Sequence, residues 1–234
     1  IYEITKKKIR ERHMTPLWCM EHFNVKVVST TDDPVDSLEW HEKIAADESF
    51  EVRVLPAWRP DKAMNLEKTD YLEYLKKLEV VSGVKIDSFA SLIEALRIRM
   101  DYFAEHGCSV SDHGLEYVMY APASEEEIEA IFAKRLRGEA VSRADELQFK
   151  TAYMVALGRE YHKKNWVMQL HYGVKRDNNG MIFGKLGPDA GIDCINNYAP
   201  SSEMADYLNA LAITDELPKT ILYSLNPTDN AAIG

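Results

Sequence analysis

Five short apolar runs along the chain each end in a cluster of polar and charged residues. The runs lie at residues 25–34 (VKVVSTTDDP), 52–61 (VRVLPAWRPD), 108–116 (CSVSDHGLE), 166–179 (WVMQLHYGVKRDNN) and 220–230 (TILYSLNPTDN). Short apolar runs bounded by turn residues are typical of buried strands. No hairpin signal joins them and their connections are long, so we predict that the strands are parallel.

Helical patterns fill the connections between these runs. We predict that Asp33 caps a helix with Pro34 at its first position, and that further helices cover about residues 70–81 and 88–106. Two more helix starts are predicted from capping residues, Ser124 with Glu127 and Ser142 with Asp145. Residues 178–200 are rich in Gly, Asn and Pro, which predicts a long functional or mobile loop.

Strands that alternate with helices and carry polar residues at their C-terminal ends are the layout of a (β/α) barrel enzyme. We therefore predict an α/β fold: a parallel (β/α) barrel of TIM type with extra helices in the connections. Five strands do not close an eight-stranded barrel, so either the sheet is open or the barrel is incomplete in this chain. Both ends look truncated, and we expect residues 1–234 to be the central part of a single barrel domain.

Composition narrows the class of protein. Of the 234 residues 46% are hydrophobic, enough for a sizeable core, and the net charge of −10 argues against a nucleic-acid partner. No run approaches the roughly 20 apolar residues of a membrane span. The three cysteines, Cys19, Cys108 and Cys194, are far apart, which favours free thiols, a core position for Cys108 and a reducing cytoplasmic location.

Arginine, aspartate and histidine at the strand ends are the candidate chemistry. Arg59 precedes Pro60 at a strand end, where a guanidinium suits a carboxylate ligand; a salt bridge to Asp61 is the alternative. Asp112 and His113 are an acid and an imidazole at one strand end, which can hold a water, a metal or a substrate hydroxyl. His171 ends another apolar run, level with Arg59 and Asp112, and with Asp112 it is a catalytic candidate. A structural role is the alternative for Asp112 and for His171.

Four further residues are candidate substrate contacts: Asp32, Trp58, His113 and Arg176. Asp32 either faces the site or satisfies loop amides. Strand alternation sends Asp112 and His113 to opposite sides unless the backbone turns at Gly114, so His113 alternatively packs in the core. Arg176 either binds sugar hydroxyls or only water. The chain has no serine hydrolase elbow, Walker loop or dinucleotide fingerprint.

Six motifs in order resemble one known family. They are TTDDPVDSLEWHEKIA, VLPAWRPDKA, SDHGLE, WVMQLHYGVKRDNN, LGPDAGIDCINN and LPKTILYSLNPTDN, from about residue 24 to the C-terminus. Together they are similar to uronate isomerases of the glucuronate/galacturonate type, in the amidohydrolase superfamily. The resemblance implies a distorted (β/α)₈ barrel that interconverts D-glucuronate with D-fructuronate and D-galacturonate with D-tagaturonate.

The resemblance also implies roles and a cofactor. Arg59 would contact the substrate, Asp112 would be an active-site aspartate, and His171 would lie beside the water on a divalent metal, often zinc. The family's His-x-His and Thr-Asp-Ser-Arg motifs do not occur here, so the metal ligands are unknown and the five strands would be the second to sixth of eight. The usual Arg-Asn-Asn-Asn becomes Arg176-Asp177-Asn178-Asn179.

Our leading hypothesis is therefore a cytoplasmic uronate isomerase that acts on a small hexuronate by aldose–ketose proton transfer. We expect a homo-oligomer with no nucleic-acid or membrane partner. A metal-dependent hydrolase on the same scaffold and a catalytically inactive structural or binding segment are the alternatives.

Overall fold

Five of the seven strands run parallel and follow one another across the molecule in chain order. The computed structural model describes residues 1–234. Its strands are β1 (Val27–Ser29), β2 (Arg53–Leu55), β3 (Val110–Gly114), β4 (Val167–Tyr172), β5 (Val174–Lys175), β6 (Cys194–Ile195) and β7 (Thr220–Ser224). β1 pairs with β2, and β3, β4 and β7 form a second parallel sheet in that order. Trp58 joins the two sheets by bridging to Asp32 and Ser111. All five predicted strands are present and parallel.

Helices occupy every connection between the parallel strands, so the predicted α/β class is confirmed. They are α1 (Tyr2–Glu11), α2 (Pro16–His22), α3 (Glu39–Ala45), α4 (Asp61–Met64), α5 (Tyr71–Ser82), α6 (Phe89–Glu105), α7 (Glu125–Leu136), α8 (Arg143–Lys163), α9 (Gly180–Leu186), α10 (Ser201–Ala212) and α11 (Asn230–Ile233), with a 3₁₀ turn at Pro227–Asp229. None of these helices combines the length and the apolar character that a bilayer crossing requires.

Both capping boxes predicted from the sequence are formed. The Ser124 hydroxyl accepts from the Glu127 amide at 3.2 Å, while the Ser124 amide donates to the Glu127 carboxylate at 2.8 Å. Ser142 and Asp145 exchange the same two bonds at 3.1 Å each. Each pair satisfies two amides that an α-helix leaves without partners at its start, and this fixes the first turns of α7 and α8.

The core lies between the parallel strands and the helices α5, α6, α8 and α10. The predicted apolar faces of α5 and α6 are buried at Leu75, Leu78, Leu92, Leu96, Met100 and Phe103. The Trp58 ring meets Phe103 edge-to-face with centroids 5.0 Å apart and approaches Trp166 at 6.4 Å. Cys108 is buried beside this cluster, and burial raises the pKa of its thiol to about 11, as expected for a core cysteine.

The helix predicted after β1 begins later than expected. α3 starts at Glu39, and Asp33 instead makes a local turn in which its carboxylate accepts from the Val35 amide at 3.1 Å. The cause is long-range. The Arg99 side chain on α6 donates hydrogen bonds to the backbone carbonyls of Pro34 and Asp36 at 2.7 and 2.8 Å. These carbonyls therefore do not accept from amides of a helix. The capping prediction at Asp33 was therefore wrong.

The region predicted as a long loop, residues 178–200, contains regular structure. α9 and β6 lie within it, and β6 pairs antiparallel with β5, which precedes the region. Two-residue strands carry too few positions for an alternating pattern, which explains why the sequence did not indicate them.

Gly158 lies where α8 and α10 approach closely. A Cβ at this position would lie 2.7 Å from a methyl group of buried Leu211. Overpacking of this kind costs about 1–3 kcal/mol, more than the gain of about 1 kcal/mol from helix propensity. We expect Gly158→Ala to lower the Tm in thermal unfolding followed by circular dichroism. Gly184→Ala in α9, where no atom lies within 4 Å, is the matched control and should leave the Tm unchanged or raise it. A higher Tm for Gly158→Ala would contradict the close packing.

His106 links α6 to α3 and gives a pH-dependent prediction. Burial opposes protonation of its ring, but the Glu42 carboxylate at 2.9 Å, the Tyr102 carbonyl at 2.8 Å and nearby Glu105 favour it, so the pKa of His106 is raised. The stability from this pair is complete below about pH 6.5 and is lost as the pH rises through the raised pKa. We expect the urea midpoint of the wild type to fall relative to that of His106→Gln between about pH 6 and 8. Parallel midpoints across this range would show that the pair does not contribute.

Candidate functional site

A polar cavity lies at the C-terminal ends of the parallel strands. It has a volume of about 430 Å³ and receives residues from all five strand ends. Thr31 follows β1, Arg59 follows β2, Asp112 lies in β3, His171 in β4 and Tyr223 in β7. In open parallel sheets and in barrels alike, ligands bind at the C-terminal edge of the strands.

Strand register decides which side chains reach the cavity. Trp58 pairs with Ser111, and this places the next residues, Arg59 and Asp112, level on the other face. Gly114 pairs with His171, and His171 pairs with Tyr223, so His171 and Tyr223 share the face of Asp112. Since alternate residues of a strand share a face, one sheet surface collects an arginine, a carboxylate, an imidazole and a phenol.

Arg59, Asp112 and His171 meet at this surface. Nη1 of Arg59 is 3.6 Å from Oδ2 of Asp112, and Nδ1 of His171 is 2.5 Å from Oδ1 of the same carboxylate. Asp112 is 6% exposed, so little water reaches its carboxylate, and Arg59 and His171 are the polar groups beside it. An imidazole and a carboxylate this close can hold and pass one proton.

Oδ1 of Asp112 has no aligned hydrogen-bond donor although the His171 ring is near. The His171 ring stacks at a tilt against Tyr223, with centroids 4.4 Å apart, and this contact sets its orientation.

Three of the sequence candidates lie on the opposite face. Asp32 pairs with Trp58, and Trp58 pairs with Ser111, which lies two residues before His113. This register puts Asp32, Trp58 and His113 on one face, and none of them lines the cavity. Trp58 and His113 are fully buried against the helices. Asp32 accepts from the Thr30 hydroxyl at 2.6 Å and the Ala57 amide at 3.2 Å. The expected substrate contacts of these three side chains are not supported by their placement.

Arg176 does line the cavity, at its outer edge. Its guanidinium is 2.9 Å from the Asp193 carboxylate and 3.3 Å from the Asp189 carboxylate. Both aspartates lie in the segment between β5 and β6. The side chain is half exposed. Exposed ion pairs of this kind are weak, so Arg176 is free to exchange these partners for a ligand.

Asp61 is the functional candidate that sequence reasoning treated only as an alternative partner of Arg59. Its Oδ2 accepts from Arg59 Nε at 3.2 Å and from the Gly114 amide at 2.8 Å, and its Oδ1 is 3.0 Å from His113 Nδ1. Burial opposes ionisation of this carboxyl, but His113, the Gly114 amide and Arg59 together hold its pKa below the ordinary value. Asp61 is therefore a partly buried anion that ties two strand ends together.

The residues of this chain do not form a metal site by themselves. No group of three His, Cys, Asp or Glu side chains is arranged to hold an ion. Asp112 and His171 offer two donors at the cavity, and a structural or catalytic metal in proteins generally takes three or more protein ligands.

A larger cavity of about 920 Å³ lies among α6, α7, α8 and α10, remote from the strand ends. Its lining is mostly apolar, with charged side chains at Glu94, Arg97, Glu125, Glu129 and Arg159. Arg97 and Arg159 are paired with Glu160 and Glu216, and no histidine lines this cavity. Size alone does not make it the site of chemistry.

Parallel strands with helical connections, and an acid, a base and a cation at their C-terminal edge, define an α/β protein with an enzyme-like cavity. The sequence model of the glucuronate isomerase family matches residues 1–234, and the chain belongs to this family. This confirms the resemblance drawn from the six motifs.

Named relatives agree. The chain is 62% identical over 234 residues to a uronate isomerase of Lachnoclostridium phytofermentans and 60% identical to one of Lachnospira eligens, covering all of this chain and 50% of each relative. A crystal structure of uronate isomerase from Thermotoga maritima superposes with a TM-score of 0.89 at 36% identity, covering 99% of this chain and 50% of that one. The chain thus spans about half the length of the curated relatives it matches.

Proposed function

We propose that this chain supplies part of the active site of a uronate isomerase, with Arg59, Asp112 and His171 around the substrate. The single observation that carries the proposal is their convergence: Arg59 and His171, from two other strand ends, lie 3.6 and 2.5 Å from the Asp112 carboxylate in one cavity. Family membership favours isomerisation over hydrolysis on the same scaffold.

The substrate would be a hexuronate such as D-glucuronate or D-galacturonate. A sugar acid has one carboxylate and several hydroxyls, and the cavity offers matching groups. Arg59 presents a planar guanidinium, which binds a carboxylate through two parallel hydrogen bonds. Arg176 at the outer edge adds a second cation for the hydroxyls or the carboxylate.

The reaction would be an aldose–ketose exchange through an enediol. A base removes the proton from C2, the electrons shift toward C1 and the carbonyl oxygen is protonated to give the enediol. The protonated base then returns a proton to C1, while the C2 hydroxyl gives up its proton and becomes a carbonyl. We assign this proton transfer to the Asp112–His171 pair, because a carboxylate and an imidazole 2.5 Å apart can hold one proton between them and pass it on.

We further propose that the five parallel strands belong to a (β/α)₈ barrel. Their neighbour order equals their chain order, and every connection carries helices, which is the arrangement of such barrels. A divalent metal, zinc among the candidates, would need donors besides Asp112 and His171. The three cysteines are free thiols, in keeping with a reducing cytoplasmic location.

The test is a direct assay of the purified full-length protein. Incubation with D-glucuronate or D-galacturonate should convert aldose to ketose, followed by NMR, with deuterium from D₂O entering at C1 or C2 if the enediol exchanges its proton with solvent. Failure to form ketose from either sugar acid, together with hydrolysis of a lactone or amide, would replace the isomerase by the hydrolase alternative.

A further inference from the structure

The orientation of Arg59 is fixed by its surroundings before any ligand binds. Asp61 accepts from its Nε at 3.2 Å, while its Nη1 is directed toward Asp112. Its Nη2 lies over Gly114, where an added Cβ would be only 2.4 Å away. The guanidinium thus has its Nε held by Asp61, its Nη1 facing Asp112 and its Nη2 packed against Gly114.

Asp61 is itself held from the helix side of the sheet. His113, fully buried, joins Oδ1 of Asp61 at 3.0 Å to the Tyr161 hydroxyl of α8 at 2.9 Å. A second tyrosine of α8, Tyr153, donates to the carbonyl of Pro60 at 2.9 Å. Two tyrosines of α8 therefore stabilise the segment 59–61, one through His113 and one by a direct hydrogen bond.

We propose that Asp61 is a positioning residue that sets the Arg59 guanidinium toward the substrate carboxylate, with Gly114 providing the space it requires. The inference rests on the proposed function, because it takes the ligand of Arg59 to be a sugar acid. An arginine side chain has several rotatable bonds. To form two parallel hydrogen bonds with a carboxylate, its guanidinium plane must be held in one orientation. Asp61 acts through Arg59 and does not line the cavity.

A purely structural role is the rival explanation, since Asp61 also ties β3 to the end of β2. The two roles differ in how they combine with Arg59. If Asp61 acts through Arg59, its removal has no further effect on substrate affinity once Arg59 is gone. If it only supports the strand ends, its effect adds to that of Arg59→Ala.

The experiment is a double-mutant cycle in the full-length protein with D-glucuronate as substrate. Asp61→Asn keeps the shape of the side chain and removes its charge, and we expect it to raise KM about 10- to 100-fold with a smaller change in kcat. Arg59→Ala should raise KM further, and the double variant should equal Arg59→Ala alone. Glu146→Gln is the matched control: Glu146 is a buried carboxylate paired with Lys150 and Arg143, away from the cavity, so its loss should lower Tm with KM unchanged.

Gly114→Ala is the second variant and guards against misfolding of Asp61→Asn. It removes no polar group, and its Cβ would clash with the Arg59 guanidinium while making only an ordinary contact with Asp61. We therefore expect the same class of effect, a raised KM with kcat less affected. Gly184→Ala, with open space around it, should leave KM unchanged.

Additive effects in the cycle, or unchanged KM in both Asp61→Asn and Gly114→Ala, would overturn the positioning role. If Asp61→Asn does not fold, KM of Gly114→Ala decides alone. An unchanged KM in Arg59→Ala is a separate failure, because it removes Arg59 from substrate binding and with it both the proposed function of Arg59 and the role of Asp61.

Discussion

Asp112→Asn should lower kcat for uronate isomerisation about 10²- to 10⁴-fold, the range expected when a general acid–base group is lost. An amide keeps the size of the carboxylate but neither accepts nor returns a proton. Because Arg59 remains in place, KM should change much less than kcat. Steady-state kinetics with D-glucuronate and D-galacturonate measure both constants.

Asp206→Asn is the control for this substitution. Asp206 is exposed on α10 and does not line the cavity, so the same chemical change there should leave kcat and KM as in the wild type. A kcat within about threefold of the wild type for Asp112→Asn would exclude this residue from general acid–base catalysis, which contributes 10²-fold or more.

Arg59→Ala should weaken uronate binding about 10²-fold or more, since two charge-assisted hydrogen bonds contribute about 1.5–3 kcal/mol each. Arg59→Lys should fall between the wild type and Arg59→Ala, because a lysine restores the charge but not the planar two-bond grip. Inhibition constants of non-isomerising sugar acids give the affinity without the chemical step.

The neutral sugar D-glucose separates loss of the carboxylate contact from general damage to the cavity. Its weak binding should be unaffected by Arg59→Ala, so the selectivity for the acid over the neutral sugar should fall. An equal loss for both sugars would mean that Arg59 supports the cavity and does not grip the carboxylate. The Tm of each variant shows whether the fold is intact.

The strands and their polar ends were predictable because each is a local pattern: an apolar run followed by residues that end a strand. The divergence of Asp112 and His113 followed from the same local rule of alternation. That rule says which side chains of one strand point to opposite faces, but it does not say how one strand aligns with the next. Placing Asp32 and Trp58 on the helix face required the register, which their bridges fix only in the folded chain.

Long-range contacts account for the remaining differences. Arg99 donates to the carbonyls of Pro34 and Asp36, which are 65 and 63 residues away in sequence. These bonds keep residues 34–36 out of a helix, so α3 begins later than predicted. Asp61 meets His113 and Gly114 across 52 and 53 residues. No periodicity or motif spacing carries such pairings, so the support of Arg59 became visible only in three dimensions.

The most direct measurement is a crystal structure of the full-length protein with a non-isomerising hexuronate analogue. We expect the analogue in the cavity at the strand ends, its carboxylate within about 3 Å of the Arg59 terminal nitrogens and its C1–C2 edge beside Asp112 and His171. An analogue bound elsewhere, for instance among α6, α7, α8 and α10, or with its carboxylate turned away from Arg59, would contradict the assignment.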